Sequence, residues 1–150
     1  MGQRRESDIE LWNQLAVLVA EVGTTLDRKL TREAGISLSE FQTLNALAAA
    51  EPEGLRIQQL AEALGLNQSS ASRLVGRLQG QGLVSRGVSE TDRRGVLARI
   101  TERGEATARQ ARDLFDREMG QALDLASIDG RTATVVARLR YTPGERPPAS

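Results

Sequence analysis

The chain has 150 residues, with 39% hydrophobic and 27% charged. That balance suits a globular domain with appended helices and excludes a chain disordered throughout. It has no cysteine and no histidine, which excludes disulfides, the usual zinc and haem sites, thiol redox sensing and any Cys- or His-based catalysis.

No apolar run approaches the ~20 residues that cross a bilayer, and the first ten residues lack the apolar centre of a signal peptide. A cytoplasmic location without membrane contact is expected. Net charge is zero, but its distribution is uneven. Between positions 67 and 112 stand nine arginines against only Glu90, Asp92, Glu102 and Glu105. A basic segment on a neutral chain is the footprint of localised nucleic-acid contact.

The elements follow in chain order. Ile9, Trp12, Ala16, Val19, Gly23, Leu26 and Leu30 recur at three- and four-residue spacing, which predicts one long helix over 8–32 with Gly35 as its stop. A second helix is expected from Ser39 as N-cap, carrying Phe41, Leu44, Leu47 and Ala48 and ending before Glu51-Pro52. After the turn 52–54, Ile57 to Leu64 reads as a short helix closed by Gly65. Asn67 should cap the next, over 68–81, with Gly82 ending it. Then the pattern changes. Residues 83–88 and 96–100 read as two short strands joined by a polar loop. Thr101 should cap a long helix carrying Ala108, Ala111, Leu114, Phe115, Met119, Ala122, Leu123 and Ala126. A last helix is expected near 129–141, with Val135, Val136 and Leu139. The proline-rich tail 142–150 is expected to be flexible.

The stretch 60–75 reads as a helix-turn-helix. Small Ala61 permits a close helix crossing, Gly65 takes the turn, Leu66 should plug the gap, and Asn67 starts the second helix. In such motifs the leading turn enters a major groove. Gln68, Ser69, Ser70 and Ser72 can hydrogen-bond base edges and phosphates there. Arg73 can pair with guanine or phosphate, and Arg77 adds charge one turn on. The helix N-terminus itself attracts phosphate. Asp92-Arg93-Arg94 falls in the loop between the strands, where an arginine can enter a narrow minor groove and Asp92 can orient it.

Residues 60–104, notably GLNQSSASRLVGRLQGQGLVSRGVSETDRRGVLARITERG, resemble the MarR family. The resemblance rests on Asp92-Arg93-Arg94, the strand 96–100, and Thr101-Glu102-Arg103-Gly104, which match the family's wing and the helix opening after it. The flanking helices follow the family's order, so the resemblance extends over nearly the whole chain. It implies a mainly α fold with a small β-hairpin wing: a single domain over 1–150. Within it, 8–32 and 105–141 would be dimerisation helices, 37–104 the winged helix-turn-helix lobe and 142–150 a tail. It further implies a homodimer that binds a pseudo-palindromic double-stranded DNA operator. The implied regulation is repression relieved by a small phenolic or otherwise amphipathic effector, with no cofactor and no metal. Trp12, Leu15, Phe41, Leu44 and Asn45 could line the family's effector pocket, though ordinary core packing is the favoured reading of these residues. Two features depart from the family pattern. Gly76 and Gly80 stand where better helix formers are usual, and Gln79 stands where an acidic residue is common. Each glycine costs roughly 0.5–1 kcal/mol relative to alanine. They predict fraying of that helix or a close backbone approach.

An enzyme is disfavoured, since the chain lacks a phosphate-binding glycine motif as well as histidine and cysteine. A winged helix that binds only protein is the other alternative. It would have no use for groove-facing arginines, yet Arg73, Arg77, Arg93 and Arg94 are present.

Overall fold

The computed structural model describes residues 7–88 and 95–140. The elements are α1 (Asp8–Ala34), α2 (Leu38–Ala49), β1 (Leu55–Arg56), α3 (Ile57–Leu64), α4 (Gln68–Gly80), β2 (Val84–Val88), β3 (Val96–Ile100), α5 (Glu102–Ile128) and α6 (Ala133–Arg140). They form two compact units. One comprises residues 27–114, the other residues 1–26 with 115–150. Among the described residues no helix is long and apolar enough to cross a membrane.

In the unit 27–114, α2 begins two residues earlier than expected. Its N-cap is Ser37, not Ser39. The reason is a capping box. Ser37 Oγ accepts from Glu40 N at 3.1 Å, while Glu40 Oε2 accepts from Ser37 N at 3.3 Å. Ser39 instead gives its carbonyl to the Thr43 hydroxyl at 2.8 Å. Phe41, Leu44 and Leu47 are buried as the apolar stripe requires.

The helix pair α3–α4 closes tightly. Gly65 adopts left-handed backbone at φ 66°, and Leu66 N donates back to Ala61 O at 2.9 Å, a Schellman-type ending. That geometry leaves the Leu66 side chain 36% exposed, so it does not plug the gap. Leu60, Ala61, Ala71 and Leu74 are the buried residues there.

The wing is a three-stranded antiparallel sheet in the order β1-β3-β2, not a hairpin alone. Leu55 pairs with Ala98 and Arg56 with Leu97. Val84 pairs with Ile100, Arg86 with Ala98 and Val88 with Val96. Residues 89–94, including Asp92, Arg93 and Arg94, lie outside the described residues.

Where α5 starts, Thr101 ties strand, turn and helix together. Its hydroxyl donates to Gly82 O at 2.8 Å and accepts from Gly104 N at 3.0 Å. Its own N–H donates to Leu83 O at 3.1 Å.

In the other unit, the buried residues of α1 are Leu18, Val22 and Leu26, a four-residue spacing that follows one helix face. Leu30 continues it into the unit 27–114. The predicted stripe holds at Leu26 and Leu30 but not at Ile9, Trp12 and Val19, which are 63–65% exposed. Helix α1 therefore carries two apolar faces, one buried and one open. Val135 and Val136 of α6 are buried, and α6 begins at Ala133 rather than near 129. The delay is a turn. Asp129 O accepts from Thr132 N and Ala133 N, and the buried Thr132 hydroxyl donates to Ala126 O at 2.7 Å. Arg131 bonds Asp129 and Glu21 at 2.8 and 2.7 Å. The Arg131 hydrogen bonds hold the Asp129 carboxyl below its ordinary range.

Helix α4 runs through Gly76 to Gly80, and among the described residues no backbone approaches either glycine closely. A Cβ on Gly80 would meet nothing within 4 Å, and one on Gly76 only an Arg86 guanidinium nitrogen at 3.7 Å. Neither glycine has positive φ. Gly80→Ala should therefore stabilise the fold by about 0.5–1 kcal/mol, mainly by narrowing the unfolded ensemble. Thermal melting should rise by roughly 1–4 °C. A lower midpoint would contradict the open space seen around Gly80.

Candidate DNA interface

The exposed side of α4 is polar and basic, and local chemistry explains why. Ala71, Leu74, Val75 and Leu78 are buried at helical spacing and commit one face to the core. Gln68, Ser69, Arg73, Arg77 and Gln79 are left on the exposed face, with Ser70 and Ser72 half-buried. Asn67 sits in extended backbone before the helix and its Oδ1 accepts from Ser70 N at 2.8 Å. The cap satisfies one orphan donor and leaves the positive end of the helix dipole at Gln68 and Ser69. Among the described residues no acidic side chain stands in the first turn of α4.

Arg73 is exposed, and its Nη2 donates to Ser70 Oγ at 3.3 Å. The serine thus steers the guanidinium toward the leading turn. Arg77 follows on the same stripe, since four residues is about one turn. The structure brings together seven of the nine residues expected at a DNA surface: Asn67, Gln68, Ser69, Ser70, Ser72, Arg73 and Arg77. The other two, Arg93 and Arg94, lie outside the described residues along with Asp92.

One residue of this surface was not singled out from sequence. Arg86, on β2, sends Nη2 to the Ser72 carbonyl at 2.7 Å and lies over Gly76. Its position depends on β2 packing beside α4, which residue spacing does not reveal. Elsewhere in the lobe, Arg99 Nε donates to Glu53 O at 3.2 Å.

The effector residues are placed one by one. Phe41 and Leu44 are core residues of the unit 27–114, 4% and 0% exposed. Asn45 is exposed, and its Oδ1 accepts a hydrogen bond from Arg112 of the same unit. In the other unit, Trp12 is 65% exposed and Leu15 half-buried. Among the described residues no group of three acidic side chains could hold a metal ion.

Residues 34–95 match the MarR family model, which takes in α2 to β2 and therefore the whole helix-turn-helix. Solved structures with the same fold cover nearly the full chain. A MarR family transcriptional regulator from Silicibacter pomeroyi is 28% identical, with a TM-score of 0.69 over 93% of this chain and 96% of its own. CouR from Rhodococcus jostii RHA1, solved with p-coumaroyl-CoA, is 27% identical, with a TM-score of 0.64 over 87% and 89%. Sco3205 from Streptomyces coelicolor, a MarR family regulator solved in complex with DNA, is 24% identical. Its TM-score is 0.73 over 93% and 88%. The matched segment, the three-stranded wing and the order of the flanking helices give this chain a winged helix-turn-helix fold similar to that of MarR family transcriptional regulators.

Proposed function

We propose that this chain is a sequence-specific, homodimeric DNA-binding regulator of transcription. It represses by occupying a pseudo-palindromic operator and is released by a small amphipathic or phenolic ligand. One observation carries the DNA-binding half. Helix α4 presents a capped, acid-free N-terminus followed by an exposed stripe of Gln68, Ser69, Arg73 and Arg77. Backbone N–H groups and the dipole attract phosphate, and the polar side chains suit base edges. Arg93 and Arg94 would add charge in the minor groove, with Asp92 orienting them. Sco3205, which shares the fold, was solved on DNA. The effector half is supported by CouR, which holds an aromatic acyl-CoA.

The dimer is supported by the unit containing the chain termini. Ile9, Trp12, Val19, Leu125, Ile128 and Leu139 are 63–81% exposed there. Scattered single apolar residues are ordinary on a surface, but this many large ones in one small unit suit an interface. Self-association through a two-fold axis uses the same surface on both copies.

Two measurements test the reading together. Light scattering at micromolar concentration should give the mass of a dimer. A binding selection on randomised duplexes should return a two-fold symmetric site, with half-sites about 10 base pairs apart. A monomer, or no enrichment of any duplex, would overturn it. The second outcome would favour a winged helix that binds protein only.

A further inference from the structure

The exposed face of α4 carries Arg73 and Arg77, and the wing adds a third cation to it. Strand pairing explains how. Val84 and Arg86 point to the same side of β2, facing Ile100 and Ala98 in register. Val84, Ala98 and Ile100 are buried on that side, so the pleat aims Arg86 at α4 as well. Its guanidinium then lies along the helix, donating to the Ser72 carbonyl at 2.7 Å and passing 3.7 Å from where a Gly76 Cβ would stand. Ser72 and Gly76 are one turn apart, beside the stripe that holds Arg73 and Arg77.

A guanidinium has five N–H donors in a planar fork, and the Ser72 carbonyl takes one. Among the described residues, no carboxylate forms an ion pair with Arg73, Arg77 or Arg86. Three like charges on one helix face repel one another. The arrangement is relieved when an anion arrives, and a planar fork held at one end is suited to a phosphate. A Cβ on Gly76 would make ordinary van der Waals contact with the guanidinium, so the two lie side by side on this face of the helix.

We propose that Arg86 is a DNA-backbone contact of its own: a phosphate-binding arginine braced on the carbonyl of Ser72. This rests on the DNA-binding reading above, and it assigns to β2 a contact separate from those of α4 and of the segment 89–94. Because a phosphate contact is independent of sequence, no operator is needed to test it.

The probe is a fluorescein-labelled 30-base-pair duplex of mixed sequence, titrated by anisotropy over a salt series. Wild type is compared with R86Q and R86K, each checked for its melting temperature. R86Q removes the charge but keeps an amide donor, and R86K keeps the charge but loses the fork. R86Q should bind roughly tenfold more weakly. Its log K against log salt slope should be shallower by about 0.9 per phosphate, hence about 1.8 for two copies of the chain. R86K should restore the wild-type slope. A wild-type slope in R86Q, whether or not its melting temperature falls, would reduce Arg86 to a brace and overturn the proposal. If the wild type itself bound no duplex at any salt, the DNA-binding reading would fall and the proposal with it.

Discussion

Gly104→Ala is expected to destabilise the fold by about 3 kcal/mol, from overpacking and one lost hydrogen bond together. An alanine Cβ there would stand 2.1 Å from the Leu83 carbonyl oxygen and 2.7 Å from Ile100 Cγ1. The first neighbour is backbone and has little freedom to move. Leu83 O already accepts from Thr101 N at 3.1 Å, and the Leu83 side chain is buried. Any shift that relieves the clash therefore strains that bond or the packing of Leu83. Thr101 also holds Gly82 O and Gly104 N through its hydroxyl, so the end of α4, the start of β2 and the start of α5 share one knot. The melting temperature should fall by roughly 6–12 °C, in contrast to the rise expected for Gly80→Ala. A melting temperature within about 1 °C of wild type would show that the junction relaxes freely and that the glycine has another reason. The same knot explains why threonine and glycine stand three residues apart here. One supplies a hydroxyl that bonds in both directions, and the other clears the space for a carbonyl.

What was legible from sequence follows the range of each interaction. Asn67, Gly65 and the Thr101 cap on Gly104 N act within a few residues, so these roles in α3, α4 and α5 could be read directly, whereas the Thr101 bonds to Gly82 and Leu83 could not. The start of α2 had a local signal too. Glu40 lies three residues after Ser37, which makes the capping box, and reading Ser39 as the cap overlooked it. Strand β1 had none. It is two residues long, and Leu55 finds its partner at Ala98, far along the chain. Periodicity misled in part on α1, because its apolar residues serve two faces and the buried set is Leu18, Val22, Leu26 and Leu30. Within the candidate interface, the shared face of the α4 residues was readable because one capped helix displays them. Arg86 was not, because only the register of β2 and its packing on α4 bring it to Ser72.

The largest effect on DNA recognition is expected from Arg73→Ala, with Gln68→Ala beside it. Gln68 is the first residue of α4 and exposed, so its amide can offer both a donor and an acceptor to an adenine edge. Arg73 stands more than one turn further along, and its guanidinium is drawn toward the leading turn by Ser70 Oγ at 3.3 Å. That bond is long and exposed, and easily exchanged for a shorter, charge-assisted one to guanine. Each substitution should cost about 1–3 kcal/mol on the best operator, up to roughly a hundredfold in affinity. Each should also relax base preference at one position per half-site, symmetrically across the two-fold axis. Selection from randomised duplexes with wild type and both variants separates the outcomes. A loss spread evenly over all sequences would mark a phosphate contact and move that residue to the class proposed for Arg86. Unchanged base preferences in both variants would refute this account of how α4 chooses its operator. The helix would then be a positively charged support, and specificity would have to come from the shape of the duplex instead.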